Sequence, residues 1–253
     1  MTSDDLHRSS PAPGVLQLDL ARPDVHNAIS LGLQRELDAA LTEAAHDPDV
    51  RVVVLAGEGA AAFSAGYDLK ELRAMTPDAG VLSMLEREEL LWRYFTFPKP
   101  TVAAVHGMAY GAGTLLAVCS DLRVGGPGTR ITVTAAKYGG ANLTWVLDQL
   151  IGAGPTRDLL LTSRAVSGEE AFRMGLVSRY AADGDVLGAA LEAAEQIAAQ
   201  PPESMREIKA LLLDGPGQGL RSRYDRENVV SRTTLRPRPV EEMFRSYFGS
   251  RAE

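Results

Sequence analysis

Apolar and polar positions alternate from Val15 to Leu20, which predicts a strand on the edge of the core. From Leu31 to His46 the apolar residues recur at helical spacing, with Ser30 placed as an N-cap and Asp47-Pro48 as a stop. The run Arg51–Ala56 then predicts a buried strand ending at Gly57-Glu58-Gly59. A helix at about Val81–Phe95 is broken by Pro98-Lys99-Pro100, and the strand Thr101–Val105 follows. Leu122–Val124 and Arg130–Val133 predict two short strands joined by Gly125-Gly126-Pro127-Gly128. From Asn142 the pattern turns helical. Ser167-Gly168-Glu169-Glu170 is a capping box opening a short helix that ends at Gly175, and Leu176–Tyr180 predicts a last strand. Helices are expected at Asp185–Gln200, Pro202–Leu213 and Leu220–Thr234, with a shorter one near Val240–Tyr247. Strand–helix alternation followed by helices alone predicts an α/β core with a C-terminal helical region. The expected boundaries are a disordered tail at 1–13, a core at 14–184 and a helical region at 185–253.

Composition changes this picture little. The 253 residues are 45% apolar and 23% charged, enough for a sizeable core. A net charge of −7 argues against a general nucleic-acid or anionic-membrane binder, though not against a local basic pocket for a phosphorylated ligand. A single cysteine, Cys119, precludes an internal disulfide and suits a reducing cytoplasm. Residues Thr101–Ser120 carry no Lys, Arg, Asp or Glu and are long enough to span a bilayer. Their glycines, and the change midway from β-branched residues to helix formers, favour a buried strand, turn and helix instead. The polar leader Met1–Gly14 does not read as a signal peptide.

The chemistry concentrates in two glycine-bearing turns, Phe63–Leu72 and Val105–Gly113. Each follows an apolar run and opens a helical pattern, so each can leave a backbone N–H unpaired where a helix dipole favours negative charge. Two such donors aimed at one carbonyl oxygen make an oxyanion hole. No His, Cys, Asp and Glu cluster has metal-ligand spacing.

In order and spacing the chain resembles the crotonase (enoyl-CoA hydratase/isomerase) superfamily. The resemblance runs from Arg22-Pro23 and Asn27-Ala28 through Phe63–Leu72, Pro98–Gly107, Ala109–Gly113 and Cys119-Ser120-Asp121 to Met174–Val177. It implies a ββα spiral core, a C-terminal helical trimerisation region, trimers often paired into hexamers, and an acyl-CoA thioester as ligand. No cofactor is implied beyond the coenzyme A of the substrate, and a cytoplasmic location is expected. The oxyanion donors would be the N–H groups of Tyr67, after Ala65-Gly66, and Ala112, between Gly111 and Gly113. Coenzyme A contacts would fall on Ala65, Asp68, Leu69 and Lys70.

The resemblance also exposes a gap. Hydration of an enoyl thioester needs a base for water and an acid for the α-carbon, and hydratases of this family supply two glutamates. The corresponding positions here are Leu115 and Ala135, neither of which can move a proton. Asn142 is the leading candidate for a polar contact with the acyl group, with Lys137, Tyr138, Thr144 and Asp148 nearby in sequence. The Tyr67 ring is expected to wall the pocket. Three functions stay open: an enzyme using the oxyanion hole without paired glutamates, such as a decarboxylase; a non-catalytic acyl-CoA carrier or sensor; and a hydratase or isomerase whose carboxylate comes from Glu86, Glu88 or Glu89. His106 is expected as a satisfied buried side chain, and Cys119 as inert core.

Overall fold

The stretch expected as a disordered tail is largely a strand in the computed structural model, which describes residues 5–215 and 217–218. β1 (Leu6–Ala12) returns through Pro13-Gly14 and pairs antiparallel with β2 (Val15–Leu20). Gly14 takes a φ of 80° at that turn. β1 lies at the end of its sheet and exposes its middle residues, so it needs few apolar side chains and leaves no hydropathy pattern. α1 (Leu31–His46) has the expected bounds, and Ser30 Oγ accepts from Leu33 N–H at 3.0 Å.

Three strand pairs then follow, each succeeded by helix. β3 (Val52–Gly57) and β4 (Ala62–Ser64) lead to α2 (Leu69–Ala74) and α3 (Pro77–Phe95). β5 (Thr101–Val105) and β6 (Met108–Tyr110) lead to α4 (Ala112–Cys119). β7 (Leu122–Gly125) and β8 (Arg130–Thr132) lead through a 3-10 turn at Ala135–Tyr138 to α5 (Leu147–Ile151) and α6 (Ala153–Thr162). β9 (Val166–Ser167), α7 (Gly168–Arg173), β10 (Arg179–Tyr180) and α8 (Val186–Ala198) complete this unit. The first strand of each pair joins a six-stranded sheet ordered β1-β2-β3-β5-β7-β10, and the second joins a four-stranded sheet ordered β4-β6-β8-β9. The chain therefore winds as a ββα spiral, with β7 and β8 in different sheets rather than side by side.

Alternation along the strands explains the layers. In β3 and β5, Val53, Leu55, Ala103 and Val105 face the main core with Phe63, Leu116 and Leu33. Val52, Val54, Ala56, Val102 and Ala104 face a second core on the opposite side of the sheet. α8 covers that second core through Val186, Ala190, Ala194 and Ala198, a four-residue repeat of mostly small side chains that lets the helix approach the sheet. The boundary expected at 185 is thus displaced: α8 belongs to the core, and the first compact unit runs to Gln200. The second unit begins at Pro201 and contains α9 (Pro202–Asp214), which opens with proline at its first position. The helices expected at 220–234 and near 240–247 lie outside the described residues.

The uncharged run 101–120 resolves into β5, β6 and α4, the last buried along its whole length. Among the described residues no helix is long and apolar enough to cross a membrane.

Candidate functional site

The two glycine turns meet. Gly66 has a φ of 99°, and a Cβ placed on it would lie 2.8 Å from Tyr110 O and 3.1 Å from Ala112 N. Gly111 has a φ of 50°, and a Cβ placed on it would lie 3.9 Å from the Gly66 Cα. A Cβ on Gly113 would come within 2.4 Å of Ser64 O. Both turns thus need residues without a side chain because backbone meets backbone.

Each turn is also pinned. Ser64 Oγ donates to Asn27 O at 2.7 Å and accepts from Gly66 N–H at 3.2 Å. Ala65 N–H donates to His26 O, Ile29 N–H to Gly66 O and Asp68 N–H to Ile29 O. His26 and Asn27 both take φ values of 54°, and the wholly buried Asn27 amide holds that bend by donating to Glu58 O and Ala62 O. On the second turn Gly111 N–H donates to Thr132 O, and the buried Thr114 hydroxyl lies 2.6 Å from Ala109 O and 2.8 Å from Thr132 O.

The donors differ in origin. Ala112 is the first residue of α4, so its N–H is one of those a helix start leaves unpaired. Tyr67 precedes α2 by two residues, and Asp68 caps that helix by accepting from Lys70 and Glu71 N–H at 3.0 and 3.2 Å. A helix start therefore supplies the Ala112 N–H but not that of Tyr67. The bridge between Ile29 and Tyr67 runs its hydrogen bonds through Gly66 O and Asp68 N–H, leaving Tyr67 N–H outside it.

Beside these turns lies a cavity of about 420 Å³ lined by Tyr67, Leu115, Met84, Leu91 and Trp92, by Glu88, and by 141–145, which include Asn142 and Thr144. Trp92 and Trp145 stand 6.0 Å apart between ring centroids, and Phe95 meets Trp145 edge-on at 4.8 Å. The Tyr67 ring carries the Arg87 guanidinium 4.5 Å above its centroid. Arg87 is wholly buried and donates to Glu71 at 2.5 Å, Ser83 at 3.2 Å, and Ile29 O and Gln34 at 3.3 Å. Burial raises the Tyr67 pKa, Arg87 opposes this and Glu88 reinforces it, so the phenol stays a donor at neutral pH.

The structure thus brings Tyr67, Leu115, Asn142 and Thr144 to one cavity, with Gly66, Gly111 and Ala112 at the adjoining turns. Ala135, Lys137, Tyr138 and Asp148 do not line it, and Tyr138 and Asp148 are exposed. Leu69 and Lys70 project to solvent from α2. Asp68, expected at a coenzyme A contact, spends its carboxylate on capping α2 and on Arg22 at 3.0 Å. Burial works against its ionisation, but Arg22 and the two N–H donors outweigh burial and hold it below the usual carboxylate range. Of the α3 glutamates, Glu86 pairs with Arg35, and Glu88 lines the cavity.

Two expectations about buried side chains divide. Cys119 is buried and its thiol is pushed up to about 12 by burial, which keeps it unreactive. His106 Nε2, by contrast, is buried without a hydrogen-bond partner. Among the described residues no group of His, Cys, Asp and Glu is placed to hold a metal ion.

Arg87, Glu71, Trp92 and Trp145 escaped the sequence reading. A basic residue inside the apolar phase of the α3 pattern was the one available signal for Arg87, and the tryptophans gave none.

The enoyl-CoA hydratase/isomerase family model matches residues 11–236. A Thermus thermophilus protein named "Putative enoyl-CoA hydratase" is 37% identical over 234 residues, spanning 90% of this chain and 92% of that protein. The crystal structure of an enoyl-CoA hydratase from Bacillus anthracis superposes with a TM-score of 0.91 at 28% identity, covering 98% of this chain and 97% of that one. With the spiral and the paired turns, these matches establish that the chain belongs to the enoyl-CoA hydratase/isomerase family, within the crotonase superfamily.

Proposed function

We propose that the protein binds an acyl-CoA thioester, receives its carbonyl oxygen between the N–H groups of Tyr67 and Ala112, and stabilises the enolate formed there. The observation that carries this reading is the close approach of the two turns, where a Cβ on Gly66 would lie 3.1 Å from Ala112 N, beside a largely apolar cavity. A thioester enolate is a transient anion, and backbone donors fixed by packing cost no reorganisation when it forms; each is worth about 3 kcal/mol at the transition state. Ala65, Leu69 and Lys70, beside the first turn, are proposed to meet the coenzyme A moiety, with Lys70 placed for a phosphate. The coenzyme A belongs to the substrate, and no other cofactor is part of this reading.

Standard two-glutamate hydration does not fit. Leu115, where the resemblance expects the first glutamate, presents an apolar side chain to the cavity, and Ala135 lies away from it. Trimeric or hexameric assembly belongs to the same proposal and is checked by sedimentation of the full chain.

Calorimetric titration with hexanoyl-CoA and with free coenzyme A tests the reading. The thioester is expected to bind more tightly than coenzyme A, since only it fills the cavity. Equal affinities, or no binding, would overturn it. Parallel assays with crotonyl-, 3-hexenoyl- and methylmalonyl-CoA then separate an enzyme from a carrier, which would bind without turnover.

A further inference from the structure

Met84, Glu88, Leu91 and Trp92 all line the cavity, and their spacing of four, three and one residues defines one face of α3. Three of the four are apolar. Glu88 stands in the middle of that stripe, the one carboxylate among the described residues lining the cavity. Its neighbours have other commitments: Glu86 pairs with Arg35, and Arg87 turns inward to Glu71. Glu88 itself forms no ion pair among the described residues. Glu88 is exposed, so its carboxylate stays hydrated while it faces the cavity.

Building on the thioester reading above, we infer that Glu88 is the catalytic acid and base of this protein, supplied from α3, and that it moves a proton along the acyl chain. One carboxylate suffices for a proton shift, whereas hydration needs two groups. For a 3-enoyl thioester, the Glu88 carboxylate takes a proton from the α-carbon. The C–H electron pair delocalises into the carbonyl as a dienolate, held at oxygen by Tyr67 and Ala112 N–H. Glu88, now the carboxylic acid, returns a proton to the γ-carbon, and the double bond moves from C3–C4 to C2–C3. No water, oxidant or other reactant is consumed.

The test follows α-proton exchange of hexanoyl-CoA in D2O by NMR, isomerisation of 3-hexenoyl-CoA, and calorimetric binding of hexanoyl-CoA. Glu88→Gln is expected to lower exchange and isomerisation at least about 100-fold while binding stays within about threefold. Glu88→Asp keeps a measurable fraction of both rates, and Glu86→Gln behaves as wild type. A Glu88→Gln variant as fast as wild type overturns the assignment. So does a wild-type protein that binds hexanoyl-CoA but neither exchanges nor isomerises. Absence of hexanoyl-CoA binding would instead overturn the thioester reading on which the assignment rests.

Discussion

The two halves of the site are built on opposite principles. At the turns, Gly66 and Gly113 press backbone against backbone, and no Cβ fits at either without something moving. At the cavity, the lining is made by side chains, among them Glu88, Trp92, Asn142 and Trp145, all exposed. The first half leaves no room for a side chain at Gly66 or Gly113. The second can change its chemistry without disturbing the fold. A family that keeps one carbonyl-binding device while varying its reaction would be expected to divide its site this way, and Leu115 on α4 and Glu88 on α3 are where that variation would show.

The strongest way to break the contrast is at the glycines. Gly66→Ala places a methyl 3.1 Å from Ala112 N at a positive φ. It should separate the turns and lower α-proton exchange of hexanoyl-CoA by about 100-fold or more, as loss of an oxyanion donor does. Gly128→Ala, with nothing within 4 Å of the added methyl, is the control and should exchange normally. Equal rates in the two variants would mean that the turn contact does not matter to the chemistry.

Next in size is Arg87→Met. Removing one partner of a buried pair leaves the other charge uncompensated, at a cost of about 3–5 kcal/mol. Glu71 keeps some exposure, which places this pair at the lower end. Denaturant unfolding should show the loss, and Glu71→Gln should lose less because the amide still accepts from Arg87. If Arg87→Met unfolds like wild type, the buried pair with Glu71 does not carry the stability assigned to it.

How much of this was legible follows the same division. The turns could be read because backbone contact forces glycine at fixed spacing, and glycines survive in sequence as a motif. α1 could be read because it buries one regular face, and β5 because it is an unbroken apolar run buried on both. β4 and β6, three residues each, were too short to carry a period, and β1 carried none because it lies at an edge. α8 read as helix, but its alanine stripe could not say which surface it covers. The cavity residues were the least legible. Glu86, Glu88 and Glu89 are indistinguishable by composition, and only the phase of α3 against its neighbours separates the cavity-lining one from the one paired with Arg35.

A smaller effect is expected at the cavity wall. Trp92 packs against Phe95 and Trp145, and Trp92→Ala should remove one face of the acyl site. Aromatic contacts are worth about 0.5–1.5 kcal/mol beyond their buried area. Hexanoyl-CoA binding should therefore weaken roughly tenfold, by about 1.4 kcal/mol, while acetyl-CoA binding, which reaches less of the wall, should barely change. Equal losses for both ligands would place Trp92 outside the acyl site.

The smallest effect falls on the support of the first turn, at Asp68, which caps α2 just after Tyr67 and holds Arg22. Its carboxyl is held below its ordinary value of about 4. A group whose folded pKa is lowered contributes its full stability above the unfolded value and loses it as pH falls through the folded value. Wild-type unfolding free energy should therefore decline from about pH 4 downward, and Asp68→Asn should remove that share of the decline. At neutral pH the variant should be destabilised by about 1 kcal/mol, since asparagine still caps a helix well but pairs with Arg22 only as a neutral acceptor. Thioester binding should be nearly unchanged, because Tyr67 N–H is fixed by the Ile29 bridge and not by the cap. A variant with wild-type acid sensitivity but weakened hexanoyl-CoA binding would reverse this assignment and make Asp68 part of the ligand site rather than its support.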